Sequence, residues 1–269
     1  ATEVYPLFLD VLAGLHADIR RQRQPEPADF EVAQGGSVEA RLRGMVERVV
    51  RDYDDPARAL LRRLAVARRF DREIAAALVA EFDLGFHMDR FDDLTELSLI
   101  EAAPEAEVEA DGWTLHARLA DALATGLTAE QRLATHRRLR TLFEQRAVNA
   151  HDGAAAAAAL GRAADHALAD TDVAMADWWA GGADLVLSRF SPTRFAAVAQ
   201  RLRAALSSRE PADDRAAGMA EVILGDIRRA EGDLQAALSA YEAGLAIRER
   251  LAAGDASNTS WQRDLSVSH

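Results

Sequence analysis

The sequence contains neither cysteine nor lysine. Without cysteine there can be no disulfide to staple the chain and no thiolate to hold a metal. Without lysine there can be no P-loop, because that motif uses a lysine at the end of a Gly-rich turn to reach the transferring phosphate. No G-x-x-x-x-G-K-[ST] run occurs either, so the chain is not by itself a P-loop ATPase. Aromatics supply only 6% of the residues, which leaves core building mainly to Leu, Val, Ile and Ala. No stretch reaches the roughly 20 consecutive apolar residues that cross a bilayer. The N-terminus has no basic segment leading into an apolar run and a small-residue cleavage site. These absences predict a soluble, cytoplasmic protein with no membrane partner.

What is present is arginine, alanine and acid. All 32 basic residues are arginines, set against 44 Asp and Glu for a net charge of −12. Such a chain is repelled by a phosphate backbone unless it gathers its cations on one face. The composition is that of a GC-rich, bacterial genome. With 269 residues, 49% of them hydrophobic, the chain is long enough for one large or two ordinary domains.

Helical periodicity dominates. Val4, Leu7, Phe8, Val11, Leu12, Leu15 and Ile19 form one apolar stripe. The run from Pro25 to Phe30 breaks it, and Gly35-Gly36-Ser37 makes a joint ahead of a helix from Val38 to Arg51. Asp55-Pro56 reads as cap and first turn of a helix carrying Leu60, Leu61, Leu64 and Val66. Asp71 caps a helix from Ile74 to Phe82, Asp83-Leu84-Gly85 ends it, and a third helix runs from Met88 to Glu96. An extended segment follows, Leu97 to Ala103, then an acidic loop, Glu105 to Asp111, and a second extended segment, Trp113 to Leu115, which enters a helix at His116. Three short helices followed by a two-stranded hairpin is the order of a winged helix, and this hairpin is the only β-structure expected. From Thr128, whose partner Gln131 completes a capping box, the chain reads as stacked helices. They are divided at 151–153, 169–172, 191–193, 210–214, 231–233 and 253–258, the rhythm of an α-solenoid.

Chemistry is hard to find. The seven histidines, His16, His87, His116, His136, His151, His166 and His269, lack metal-ligand spacing. Ser207, Ser208, Ser266 and Ser268 occur in no G-x-S-x-G context. The carboxylates of Glu105 to Asp111 read as a solvated hairpin tip. No catalytic or metal site is expected. A winged helix raises DNA binding, but its recognition helix would hold Asp89, Asp92, Asp93 and Glu96 against Arg90 alone. Base edges and phosphates call for the opposite charge. Basic clusters at 20–23, 62–69 and 136–140 interleave with apolar residues and read first as solvated or interfacial faces.

Residues 216 to 251 are more specific. Leu224-Gly225 supplies the small crossing point of two helices, Gly232 the turn, Ala237 a small contact and Tyr241 an aromatic plug. Gly244 stands where Ala is usual, and Arg228 where Tyr is usual. This segment resembles a tetratricopeptide (TPR) repeat, with Leu224, Gly225, Gly232, Ala237 and Tyr241 as its packing residues. The resemblance continues through the final nine residues, Trp261 to His269, which read as the first helix of a next repeat. The chain is thus expected to end inside a longer array, with Leu265 and Val267 half-covered.

The stretch Tyr5 to Leu15, with Pro6-Leu7, resembles the Pro-Leu helix of STAND-family signalling ATPases, which include the NACHT and NB-ARC groups. In that family a lid helix, a winged helix and helical repeats follow the P-loop core. Leu115-His116-Ala117 is similar to the family's Met-His-Asp motif, with Ala in the place of Asp. The resemblance implies nucleotide contacts for His116 and Pro6; a packing or capping role for His116 is the alternative.

The expected fold is mostly α. A lid-like segment over 1–53 and a winged-helix domain with a small β-hairpin over 54–125 precede a TPR-like α-solenoid over 126–269. The resemblance implies a non-enzymatic regulatory segment with no cofactor of its own, whose full-length protein uses ATP or ADP. Its partners would be a protein or peptide ligand on the repeats and an upstream NTPase domain, with oligomerisation on activation and hinges near Thr125-Gly126 and Gly181-Gly182. A constitutive TPR scaffold and a winged-helix transcriptional regulator are the alternatives.

Overall fold

The computed structural model describes residues 13–14, 16–21, 23–26, 38–103, 112–179, 189–207, 214–254 and 259. Pro6 and most of the Tyr5 to Leu15 motif lie outside the described residues. So do Gly35 to Ser37, the acidic loop, Gly181-Gly182 and the segment Trp261 to His269. The described chain is mostly helical and divides into two compact units, Ala1–Leu139 and Arg140–His269.

In the first unit, residues 13–14 and 16–21 are helical, and α1 (Val38–Arg51) buries Met45, Val46 and Val50. Helix α2 (Asp55–Ala67) starts one residue earlier than the sequence suggests. Its cap is Asp54, whose carboxylate accepts the amide of Ala57 at 3.1 Å, not Asp55. The first intrahelical bond runs from the Arg58 amide to the Asp54 carbonyl at 3.0 Å, which makes Asp54 the cap and sets Asp55 in the first turn, where its carboxylate pairs with Arg58.

The α2 stripe Leu60, Leu61 and Leu64 is fully buried, and α2 packs on α5 (Ala117–Ala124). Arg68 turns the chain through a left-handed conformation, φ 60°, into β1 (Arg69–Phe70). Helix α3 (Arg72–Glu81) is capped by Asp71, which accepts the Ile74 amide at 2.8 Å. Asp83 and Gly85, both at positive φ, end that turn. A 3₁₀ turn (Met88–Arg90) then runs into α4 (Phe91–Thr95).

Strands β2 (Ile100–Ala102) and β3 (Trp113–Leu115) form the expected hairpin. The extended segment is shorter than its sequence suggests, because Leu97 to Leu99 turn back on α4: the Leu97 amide bonds to the Leu94 carbonyl. The hairpin is also not the only β-structure. β1 pairs with β3, Arg69 opposite Thr114 and Phe70 opposite Trp113, giving an antiparallel three-stranded sheet in the order β1-β3-β2. Beneath it Phe70, Phe91 and Trp113 pack together, with Phe91 edge-on to Trp113 at 5.2 Å. Such aromatic pairs contribute about 1 kcal/mol beyond area burial.

Buried in the same unit is Arg63, 8% exposed, which has no carboxylate partner among the described residues. Its guanidinium lies 4.4 Å over the Phe82 ring and donates only to the Ala59 carbonyl one turn back. Burial holds its pKa below the ordinary value.

The division between units falls within α6 (Ala129–Asn149). The capping box at its start is formed in both directions: Gln131 N–H donates to the Thr128 hydroxyl at 3.1 Å, and Thr128 N–H to the Gln131 side-chain Oε1 at 3.0 Å.

The second unit continues with α7 (Gly153–Leu168), whose N-terminal amides of Ala154 and Ala155 both donate to Asp152. Then come α8 (Met175–Trp178), a 3₁₀ turn (Pro192–Phe195), α9 (Ala196–Ser207), α10 (Asp214–Glu231) and α11 (Leu234–Gly254). Its core joins the alanine face of α7 to Phe195, Val198, Leu202, Leu206, Leu224 and Ile227. Alanine lets these helices approach closely, which is why so little aromatic mass suffices.

Candidate functional site

In the second unit, α10 and α11 make the most extensive helix–helix contact of the described chain, and glycines line it. A Cβ placed on Gly225 would stand 2.4 Å from Cε1 of Tyr241, so the phenol ring lies directly on the glycine. Two helical turns earlier the backbones cross again, where a Cβ on Gly244 would meet the Gly218 carbonyl at 3.2 Å. Leu224 and Ala237 are buried beside the first crossing.

The turn between the helices uses Gly232 at φ 83°. Its left-handed conformation brings the Gly232 and Asp233 amides onto the Arg229 and Arg228 carbonyls at 3.1 and 3.0 Å, satisfying the end of α10. Asp233 then caps α11 by accepting the Ala236 amide at 3.0 Å.

The Tyr241 hydroxyl donates to Asp226 at 2.7 Å, and Asp226 is paired with Arg229 at 3.1 Å. Burial, and then the bond to Asp226, hold the phenol pKa above its usual value. Sequence reasoning missed Asp226 and Gly218. The spacing of Asp226 to Tyr241 across a helix pair carries no local signal, whereas Gly218, about four turns before Gly232 in an alanine-rich helix, was legible only as one more small residue.

Beside this pair lies a cleft of about 280 Å³ between α9, α10 and α11. Leu224 forms its apolar floor, Ala240 and Ala243 one wall, and Arg203, Glu221 and Arg228 its charged rim. The rim is internally paired: Arg203 meets Glu221 at 3.4 Å, and Arg228 donates to Glu231 at 2.8 Å. The volume suits one or two side chains of a bound peptide and lies below that of ordinary cofactor pockets, about 300–1,000 Å³.

In the first unit, His116 stands at the N-cap position of α5, with its backbone carbonyl accepting the Leu119 and Ala120 amides. Its exposed side chain makes no capping bond. Pro6, the other residue implied in nucleotide contact, lies outside the described residues. In the acidic third-helix segment Asp92 pairs with Arg72 at 3.0 Å, while the segment's own Arg90 pairs with Asp54, the cap of α2, at 2.6 Å. The hydrogen bond from Arg90, together with that from the Ala57 amide, holds the Asp54 carboxyl below its usual pKa. Among the described residues no helix is long and apolar enough to cross a membrane.

No family model, no curated protein and no solved structure matches this chain. The described chain has a mostly helical architecture of two units, one built on a small three-stranded sheet and the other on close-packed helix pairs.

Proposed function

We propose that this chain is the regulatory and sensor segment of a STAND-type signalling switch. Its second unit takes a protein or peptide ligand on TPR-like repeats. Its first unit, a winged helix, relays that event to a nucleotide-binding core that this chain does not itself supply. The observation that carries the reading is the seating of Tyr241 on Gly225, together with the Gly232 turn, because these are the positions at which a TPR-like pair needs a plug, a gap and a left-handed joint. The helix–strand–helix–helix–strand–strand order with sheet order β1-β3-β2 supports the winged-helix half. The pairing of Asp92 with Arg72, and of the segment's lone Arg90 with Asp54 of the α2 cap, supports a packing role for the acidic third helix in place of a DNA contact. A ligand works such a switch only by binding one arrangement of the protein better than another.

Selection of a displayed random-peptide library against the whole chain tests the binding half. An enriched peptide family is expected with affinity on the order of micromolar, weakened by Arg203→Glu or Arg228→Glu at the cleft rim. Failure to enrich any peptide over a control protein, or equal binding to both variants, would overturn the assignment of ligand binding to this cleft.

A further inference from the structure

Arg62, Arg68, Arg72 and Arg90 of the first unit are each matched with a carboxylate. Arg62 meets both oxygens of Glu47 at 3.1 and 3.0 Å, Arg68 meets Asp121 at 2.7 Å, Arg72 meets Asp92 at 3.0 Å and Arg90 meets Asp54 at 2.6 Å. Arg63 is less exposed than any of these, at 8%, and has no such partner among the described residues. Its Nη1 donates to the Ala59 carbonyl at 3.3 Å, and its guanidinium lies 4.4 Å over the Phe82 ring. Its Nε is enclosed without a bond, whereas Nη2 is unbonded and not enclosed.

A cation withdrawn from water with no counter-charge destabilises the fold, and an aromatic face offsets only part of that. Neither contact uses what distinguishes arginine, a planar fork of donors that matches a carboxylate. The surroundings decide which anion completes the fork. Phe82 is flanked in the chain by Glu81, which lies 3.4 Å from Arg138, and by the exposed Asp83. A doubly charged phosphate would meet these carboxylates with one uncommitted cation, on a chain of net charge −12. A single carboxylate brings the one charge that Arg63 lacks.

We propose that Arg63, seated on Phe82, is the docking point for the side-chain carboxylate of an Asp or Glu on a protein partner of the first unit. The incoming oxygen accepts from Nη2, the nitrogen left open. A docking cation of this kind has a signature: its removal weakens binding and leaves the fold as stable or more so. The site lies in the first unit, apart from the cleft of the second, and does not rest on the sensor reading.

Side-chain NMR of the whole chain tests this at the Arg63 Nε–Hε resonance, assigned by its absence in Arg63→Met and in Arg63→Lys. The probe is acetyl-Ala-Glu-Ala-amide. Acetyl-Ala-Gln-Ala-amide, sodium acetate and inorganic phosphate serve as comparisons at matched ionic strength. A saturable shift is expected from the Glu peptide, with a Kd on the order of millimolar. Binding should be roughly tenfold weaker for the Gln peptide and for phosphate. The Arg62 Nε–Hε signal should not move, since Glu47 already holds that guanidinium. Arg63→Met should lose the binding, read at the peptide's own signals, and keep or raise its Tm. No saturable shift, an equal response to the Gln peptide or at Arg62, or undiminished binding by Arg63→Met overturns the site. Tighter binding of acetate or phosphate than of the Glu peptide overturns its assignment to a protein side chain. Peptide selection reports on the second unit, so this site and the sensor reading fail separately.

Discussion

Gly225→Ala is the sharpest perturbation of the helix pair. The new methyl would lie 2.4, 2.5 and 2.9 Å from Cε1, Cδ1 and Cζ of Tyr241. The ring cannot swing away freely, because its hydroxyl is tied to Asp226 at 2.7 Å. Overpacking of this kind costs about 1–3 kcal/mol, and breaking the phenol bond adds about 1 kcal/mol. Against this stands the gain of about 1 kcal/mol from replacing a mid-helix glycine by alanine. The net loss is about 1–3 kcal/mol, or roughly 3–10 °C in Tm for a unit of this size. Far-UV circular dichroism melts of Gly225→Ala, Tyr241→Ala and the double variant measure it. With the ring removed the clash disappears, so the same substitution should become stabilising by about 1 kcal/mol in the Tyr241→Ala background. If Gly225→Ala raises Tm in the native chain, or costs the same in both backgrounds, the ring does not rest on the glycine and the reasoning is wrong.

Other outcomes follow from the same structure. Asp71→Ala removes the acceptor of the Ile74 amide and should destabilise the first unit by about 1 kcal/mol in a urea titration, with an unchanged m-value. Arg63→Met should leave that unit's stability unchanged or raise it by up to about 2 kcal/mol, since an unpaired buried cation gives way to an apolar chain of similar length; a large loss in the same titration would mean that the contact with Phe82 outweighs desolvation. The depressed carboxyls of Asp54, beside Arg90, and of Asp152, at the α7 N-terminus, contribute stability above their unfolded pKa. That contribution is lost as pH falls through their lower folded values, so Tm should decline in acid below about pH 4. The Asp54→Asn variant should show a shallower decline.

The sequence made the helices legible wherever an apolar stripe coincided with a cap. Val38–Arg51, the Asp71-capped helix and the Thr128–Gln131 capping box all stand where side chains announce them. Strand β1 was not legible because two residues cannot display an alternation, and its pairing with β3 is set by tertiary contact alone. The cap of α2 was misplaced by one residue because Asp54 and Asp55 are adjacent, chemically alike and equally able to cap. In the candidate site, Gly225 and Tyr241 were singled out as packing residues by the tetratricopeptide resemblance, and their contact with each other appears in the structure. The Asp18–Ser98 hydrogen bonds were not legible, because the partners lie 80 residues apart and neither residue is unusual by itself.

The central claim is that this chain is the regulatory part of a nucleotide-driven switch. The most direct measurement is the native reading frame upstream of Ala1 in the source genome. The account predicts an open frame encoding a Gly-rich loop that ends in Gly-Lys-Ser or Gly-Lys-Thr. A start codon immediately before Ala1 would contradict it and leave a repeat-based binding scaffold.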